Sequence, residues 1–185
     1  WFTIFESIDG YSKVGTPTLD FLGAKIVTGS TTNDLCELLK TASYSTEFTW
    51  AKKRKIKFGF VIADAESAQT IFIGTGEGRA VDANTRRIGF RIDNQALRGV
   101  TADGSSNTAI ALQDLATNTE YTCEAIFTPG VGVTFYVNGV DKGTITTNLP
   151  TGTYRANWLF NAEAKTLEDF ANSATITFYD FWQAN

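Results

Sequence analysis

The chain has 185 residues, and its 16 Lys and Arg against 20 Asp and Glu give a formal net charge of −4. This length suits a single domain spanning residues 1–185, and a content of 43% hydrophobic residues argues against disorder. The acidic balance argues against a nucleic-acid partner, and no apolar run reaches the roughly 18 residues of a membrane-spanning helix, so we expect no membrane partner either.

The chain begins with Trp1 and contains no Met, so we expect it to be part of a longer translated protein. Its two cysteines, Cys36 and Cys123, are too few for a disulfide framework or a metal motif. A bond between them would add about 4–5 kcal/mol by closing a long loop. We favour two free, buried thiols, because Cys123 shares strand parity with the apolar residues Tyr121 and Phe127.

Hydrophobic residues alternate with polar residues along much of the chain, which is typical of strands with one buried face. In chain order, the alternating runs are residues 56–62, 88–92 and 131–137, and residues 119–127 and 174–182 are also strand-like. The pattern predicts a buried set: Ile56, Phe58, Phe60, Ile88, Phe90, Ile92, Val133, Phe135 and Val137. Short helical turns are predicted only at residues 33–40 and 162–170.

Turn sequences separate these runs. Asp103-Gly104, Pro129-Gly130 and Asn138-Gly139 are the strong signals, and Asp9-Gly10 and Asn94-Gln95 are weaker ones. Asn-Gly between two alternating strands predicts a type I′ hairpin, in which both central residues take positive φ. The pattern as a whole predicts an all-β chain folded as a two-sheet antiparallel β-sandwich with at most one or two short helices.

A basic cluster interrupts the acidic chain at Lys52, Lys53, Arg54, Lys55 and Lys57. It could contact a phosphate or an acidic glycan. The interpretation that we favour is a charged face or edge of a strand, where lysines prevent edge-to-edge pairing.

Residues 50–150 resemble the concanavalin A-like and laminin G-like jelly rolls, especially those of bacteriophage virion proteins. The resemblance is carried by the segments 48–50, 55–62, 87–92, 97–105, 121–130, 135–139 and 146–150. It implies that the closing strand at residues 174–182 returns beside an amino-terminal strand at residues 2–8. It also implies a decoration, fibre or tail protein on the virion surface, whose partners are other virion subunits and cell-surface glycans.

Catalytic chemistry is not expected. The absence of His excludes Ser-His-Asp, Cys-His and His-ligated metal sites. Some glycosidases share this jelly roll, but their Glu-x-Asp-x-Glu string is missing. The nearest pair, Glu120 and Glu124, is separated by about 13 Å along a regular strand, too far for an acid and base pair. Glu47, Asp93 and Glu163 could meet only through the tertiary fold.

A sugar site is the main binding hypothesis. Alternation predicts that Lys57, Gly59, Gly89, Arg91, Asp93, Thr134, Tyr136 and Asn138 face away from the core. The two glycines would leave a flat bed on which a sugar ring stacks against Tyr136, while Arg91, Asp93 and Asn138 bind its hydroxyl groups. The alternatives are an ordinary solvated sheet or a face covered by a neighbouring subunit.

Other ligands are less favoured. An Asp-Gly turn at residues 103–107 could hold calcium, but such a turn needs no ion, and no cofactor or metal is expected. Trp1, Trp50, Trp158 and Trp182 are interpreted as core and seam residues. The sequence therefore predicts a non-catalytic structural or binding module of a virion surface. The alternative is a secreted, extracellular bacterial carbohydrate-binding module.

Overall fold

The computed structural model describes residues 2–4, 12–14, 18–20, 23–28, 35–41, 49–63, 69–77, 85–152, 158–166 and 173–184. Within them the chain forms only strands: β1 Phe2–Ile4, β2 Ser12–Val14, β3 Thr18–Asp20, β4 Gly23–Val27, β5 Leu35–Thr41, β6 Arg54–Ile62, β7 Gln69–Gly76, β8 Arg87–Asp93, β9 Ala96–Ala102, β10 Asn107–Asp114, β11 Glu120–Thr128, β12 Gly132–Val137, β13 Val140–Ile145, β14 Trp158–Thr166 and β15 Ser173–Gln183. None of these segments is a helix long and apolar enough to cross a membrane.

The strands form two antiparallel sheets that pack face to face. Sheet A has the order β13-β12-β11-β6-β15-β4-β3, and β1 also pairs with β15. Sheet B has the order β10-β9-β8-β7-β14-β5-β2. The prediction of an all-β, two-sheet antiparallel sandwich is therefore confirmed, as is the pairing of the closing strand with the amino-terminal strand, through Phe2–Ile4.

The core lies between the two sheets and is rich in aromatic residues. All nine residues predicted to be buried are buried, with exposed fractions of 0–2%. Phe90 of sheet B makes edge-to-face contacts with Phe58 and Phe135 of sheet A, both with ring centroids 5.3 Å apart. Phe135 in turn packs on Gly99 of β9, where an added Cβ would lie only 2.8 Å from the ring. Val131, at the start of one alternating run, is 65% exposed because the strand begins after it, at Gly132.

The two predicted helical turns are wrong. Residues 35–41 form β5 and residues 158–166 form β14, and the two strands pair with each other through residues such as Leu38 and Ala162. Cys36, Leu38 and Ala162 are fully buried, so cross-strand burial outweighs the local helical spacing. Residues 33–34 and 167–170 of the predicted turns lie outside the described residues, as does the Asp9-Gly10 turn.

The predicted turns at Asn94-Gln95, Asp103-Gly104, Pro129-Gly130 and Asn138-Gly139 all connect consecutive strands. Asn138 has φ 51° and Gly139 has φ 78°, as a type I′ hairpin requires. Nothing lies within 4 Å of an added Cβ at Gly139, so its conformation, not crowding, limits substitution there.

Gly139→Val should therefore lower the free energy of unfolding by about 1–2 kcal/mol, because a β-branched residue resists positive φ. Urea denaturation measures the change. Gly139→Asn is the matched control, since Asn tolerates this conformation, and it should lose less stability. Equal stability of the Val variant and the parent protein would contradict the turn assignment.

Both cysteines are buried and neither forms a disulfide, as the sequence predicts. Cys36 lies on β5 of sheet B and Cys123 lies on β11 of sheet A. Burial raises the pKa of the Cys123 thiol well above its ordinary value, so this residue is an inert part of the core.

The basic cluster lies at the start of β6, which is a central strand of sheet A, so of the two parts of the interpretation the strand edge is wrong and the charged face holds for Lys55 and Lys57. Arg54 points into the sandwich with Ile56 and is 1% exposed. Its guanidinium carbon lies 4.2 Å from the ring centroid of Trp50. Lys55 and Lys57 belong to the opposite, outer face of the strand, so the cluster is divided between core and surface.

Candidate functional site

The outer face of sheet A carries a shallow depression of about 630 Å³ beside the β12–β13 hairpin. It is lined by Lys57, Thr122, Glu124, Ile126, Tyr136, Asn138 and Gly139. These residues come from the three neighbouring strands β6, β11 and β12 and from the hairpin tip. Antiparallel register therefore builds the depression, because it brings alternate residues of adjacent strands side by side on one face.

The lining residues are arranged in cross-strand rows. Tyr136 lies opposite Glu124 on β11, and Glu124 lies opposite Lys57 on β6. Such directly opposed residues have side chains about 5 Å apart at the Cβ atoms. The row thus combines an aromatic ring, a hydrogen-bond acceptor and a donor across about 10 Å of sheet. Its two charges are of opposite sign, so the depression carries no net formal charge.

Asn138 is fixed by two hydrogen bonds to Thr122. Its backbone N–H donates to the Thr122 carbonyl at 2.7 Å, and its side-chain Oδ1 accepts from the Thr122 N–H at 2.9 Å. The second bond engages the Oδ1 of the amide, and Asn138 is also one of the residues that line the depression. Asn138 therefore has a structural role in the hairpin.

The structure separates the four residues predicted for the sugar site. Tyr136 and Asn138 lie on the outer face of sheet A, whereas Arg91 and Asp93 lie on β8 of sheet B. The outer faces of the two sheets point away from each other across a sandwich about 10 Å thick. One ligand cannot reach both pairs, so the predicted four-residue site is wrong. The sequence alone could not have shown this, because strand order is a tertiary property.

Arg91 and Asp93 instead belong to an ion-pair cluster. Asp93 Oδ2 accepts a hydrogen bond from Arg91 Nε at 2.9 Å and forms an ion pair with Arg98, whose Nε lies 3.2 Å away. The Thr70 hydroxyl donates to Asp93 Oδ1 at 3.5 Å. The Asp93 carboxylate is therefore held by two arginines and a threonine on the outer face of sheet B. A catalytic role for Asp93 with Glu163 or Glu47 gains no support. Glu47 and the side chain of Glu163 lie outside the described residues.

The predicted flat bed of glycines does not exist. Gly59 lies on sheet A, where an added Cβ would be 2.6 Å from Phe178 Cε1. Gly89 lies on sheet B, where an added Cβ would be 2.6 Å from Phe72 Cζ. Each glycine is thus covered by an aromatic ring of the adjacent strand, and both are buried. They are glycines because a ring occupies the space of a side chain, not because a ligand does.

Trp182 is the surface residue that the sequence interpretation missed. It is 46% exposed on β15, whereas Trp50 is buried as expected. Trp182 lies opposite Lys55 on β6, so it shares the outer face of sheet A with the depression. The strand pattern indicated that Trp182 is exposed, because Trp182 alternates with Phe181, which is buried.

The turn considered for calcium is satisfied by the protein itself. The Asp103 carboxylate accepts from the Ser106 N–H at 2.8 Å, the Ser105 N–H at 2.7 Å and the Ser105 hydroxyl at 2.9 Å. These hydrogen bonds lower the pKa of Asp103, and the bond from the Ser106 N–H has the largest effect. Among the described residues there is no group of three Cys, Asp or Glu side chains that could hold a metal ion.

Solved structures show what the sandwich resembles. The carbohydrate recognition domain of Emp47p is 12% identical over 96% of this chain and 90% of its own, with a TM-score of 0.67. A structure of botulinum neurotoxin type C, whose cell entry depends on interaction with two ganglioside molecules, is 13% identical over 93% of this chain, with a TM-score of 0.64. This chain spans 42% of the toxin chain. At such identities the likeness shows the fold alone.

A further structure, the protein of unknown function SO2946 from Shewanella oneidensis MR-1, is 20% identical over 94% of this chain and 77% of its own, with a TM-score of 0.63. The sequence has no significant match to a curated protein. The model of the SO2946-like C-terminal domain family matches residues 20–176, which is most of the chain. The chain therefore belongs to the family of SO2946-like C-terminal domains.

Proposed function

We propose that this chain is a non-catalytic glycan-binding module that uses the depression on the outer face of sheet A. The observation that carries the proposal is the row of Tyr136, Glu124 and Lys57 beside the Asn138 amide. An aromatic ring next to hydrogen-bond donors and acceptors suits a sugar, whose ring faces are apolar and whose edges carry hydroxyl groups. The likeness to a carbohydrate recognition domain and to a ganglioside-dependent toxin supports the proposal.

A non-catalytic role is supported by the carboxylates of β11. Glu120 and Glu124 are four residues apart on one regular strand, so about 13 Å separates them. Glycosidases need two carboxyl groups about 5–10 Å apart. Glu120 also accepts a hydrogen bond of 2.6 Å from the Thr177 hydroxyl. These two residues therefore do not form an acid and base pair.

The site is shallow, so we expect weak binding by an isolated domain and stronger binding by an assembly of several copies. Multivalency raises avidity by roughly two to four orders of magnitude without new contacts. This property suits either setting inferred from the sequence, a secreted module or a virion surface protein. The virion role, with other virion subunits as partners, stays a prediction from the resemblance.

The first test is a glycan array followed by calorimetric titration of each ligand found. Tyr136→Ala should weaken glycan binding by about tenfold, because it removes the stacking ring. Arg91→Ala is the matched control, since it changes a half-buried residue of the opposite sheet and should leave affinity unchanged. An equal loss in both variants, or tight binding that neither variant affects, would show that the ligand does not use this depression.

The same glycans also test for turnover. Incubation with the protein should release no reducing sugar. Release that a single Glu or Asp substitution abolishes would overturn the non-catalytic part of the proposal and leave the binding part intact.

A further inference from the structure

We infer that the ligand of this site is an extended, uncharged glycan chain that crosses sheet A from Tyr136 to Trp182, not a single terminal sugar. The inference rests on the proposed function and adds the class of ligand. Its starting observation is the second aromatic residue on the face, because Trp182 is 46% exposed and lies outside the depression.

The strand register places the two aromatic rings at opposite ends of one polar strip. The row of Tyr136, Glu124 and Lys57 continues to Asp180 on β15. The next row begins at Thr134 and reaches Trp182 through Ile126 and Lys55. Tyr136 and Trp182 are therefore three strands and two residues apart, which is about 16 Å at ordinary strand spacing and rise. A single sugar ring cannot touch both, whereas an oligosaccharide can.

The strip between the rings favours an uncharged ligand. Lys55 Nζ lies 3.7 Å from Asp180 Oδ2, and Lys57 is flanked in register by Glu124 and Asp180. The two lysines are thus matched by two carboxylates on neighbouring strands. An acidic polysaccharide would meet no net positive charge here, and a strongly basic ligand would meet no net negative charge. Paired donors and acceptors along the strip match hydroxyl groups, which both donate and accept.

One side of the strip is bounded by a ring. Phe178 covers Gly59, and Gly59 lies opposite Thr122 in the row beyond Lys57. This row has no open space at Gly59, so a chain leaving the depression passes over Lys57 and Lys55 toward Trp182. The order of residues on β6 and β15 therefore sets the direction in which the glycan chain crosses the sheet.

The test uses cello-, manno- and chito-oligosaccharides from disaccharide to hexasaccharide, with affinity measured by calorimetric titration. For the parent protein, affinity should rise with chain length beyond the disaccharide. Trp182→Ala should lower hexasaccharide affinity by about three- to tenfold, the effect of one aromatic contact, and leave disaccharide affinity unchanged. Trp182→Phe should restore part of the loss. Tyr136→Ala should lower the affinity for both the disaccharide and the hexasaccharide.

Controls separate the possible failures. Val131→Ala removes an exposed apolar side chain at the far end of the β11–β12 hairpin and should change neither affinity. If Tyr136→Ala abolishes binding but Trp182→Ala leaves hexasaccharide affinity unchanged, the extended-chain inference is wrong and the proposed function stands. If no glycan binds and Trp182→Ala instead dissociates an oligomer in sedimentation velocity, both are wrong and the face is a protein interface. Salt-sensitive preference for an acidic polysaccharide would overturn the uncharged class.

Discussion

Phe90→Ala should lower the free energy of unfolding by about 3–5 kcal/mol, the usual cost of truncating a buried phenylalanine. Phe90 is 1% exposed and belongs to sheet B, but both of its edge-to-face partners, Phe58 and Phe135, belong to sheet A. Its removal therefore opens a cavity between the sheets and also breaks two contacts that hold them together. Phe135→Ala should cost a similar amount, because that ring also fills the space above Gly99.

Urea denaturation at 25 °C measures both variants. Val131→Ala is the control, because its side chain is 65% exposed and its loss should change stability by less than about 0.5 kcal/mol. A loss below about 1 kcal/mol for Phe90→Ala would mean that the sheets do not pack through this ring.

Arg54→Met should raise the free energy of unfolding by about 1–3 kcal/mol, because it replaces a buried charge by an apolar side chain of similar length. Arg54 is 1% exposed, and its guanidinium nitrogens have no hydrogen-bond partner among the described residues. The nearby Glu77 carboxylate accepts instead from Trp50 Nε1 at 2.6 Å and from Arg86 Nη1 at 3.1 Å. Stacking on Trp50 offsets about 0.5–2 kcal/mol of the cost.

The pH dependence of the stability gained by Arg54→Met follows from the pKa of Arg54. Desolvation by burial lowers the pKa of Arg54 from its ordinary value to about 10, although Glu77 and Tyr179 act to raise it. Below pH 10 the guanidinium is charged in both the folded and the unfolded state, so the cost of burial is fully present. As the pH rises above 10 toward the ordinary pKa of arginine, the folded state loses its proton first and the cost disappears.

The stability difference between Arg54→Met and the parent protein should therefore be constant in denaturation experiments from about pH 6 to 9. Arg54→Lys is the control, because it keeps the charge and loses the planar stacking on Trp50, so it should be less stable than the parent. A Met variant clearly less stable than the parent would show that the guanidinium has a partner in the protein.

Much of the fold could be predicted because strand periodicity is a local property. The alternation in β6, β8 and β12 identified the core face correctly, and Asn138-Gly139 identified a hairpin from its own conformational preference. Residues 35–40 were misread as part of a helical turn because their apolar spacing fits both a short helix and a strand. Their pairing with β14 and β2 decides between the two, and that pairing is not visible in a local window.

The candidate site could be predicted only in part, for the same physical reason. Tyr136 lies on β12 and Asn138 follows that strand directly at the hairpin tip, so parity alone placed them on one face. Arg91 has the same outward parity on β8, but parity does not reveal to which sheet a strand belongs. Trp182 was misassigned because tryptophan is usually buried, although its alternation with Phe181 indicated the surface.

The position of β15 has a consequence for how the chain reaches its native state. Strands β6, β11, β12 and β13 are formed by residues 54–145 and make one half of sheet A, but β6 meets β4 only through β15. Until residues 173–183 are synthesised and inserted, one edge of β6 has no partner within that sheet. During translation this edge is a template for pairing with other chains, so aggregation competes with folding until β15 emerges from the ribosome.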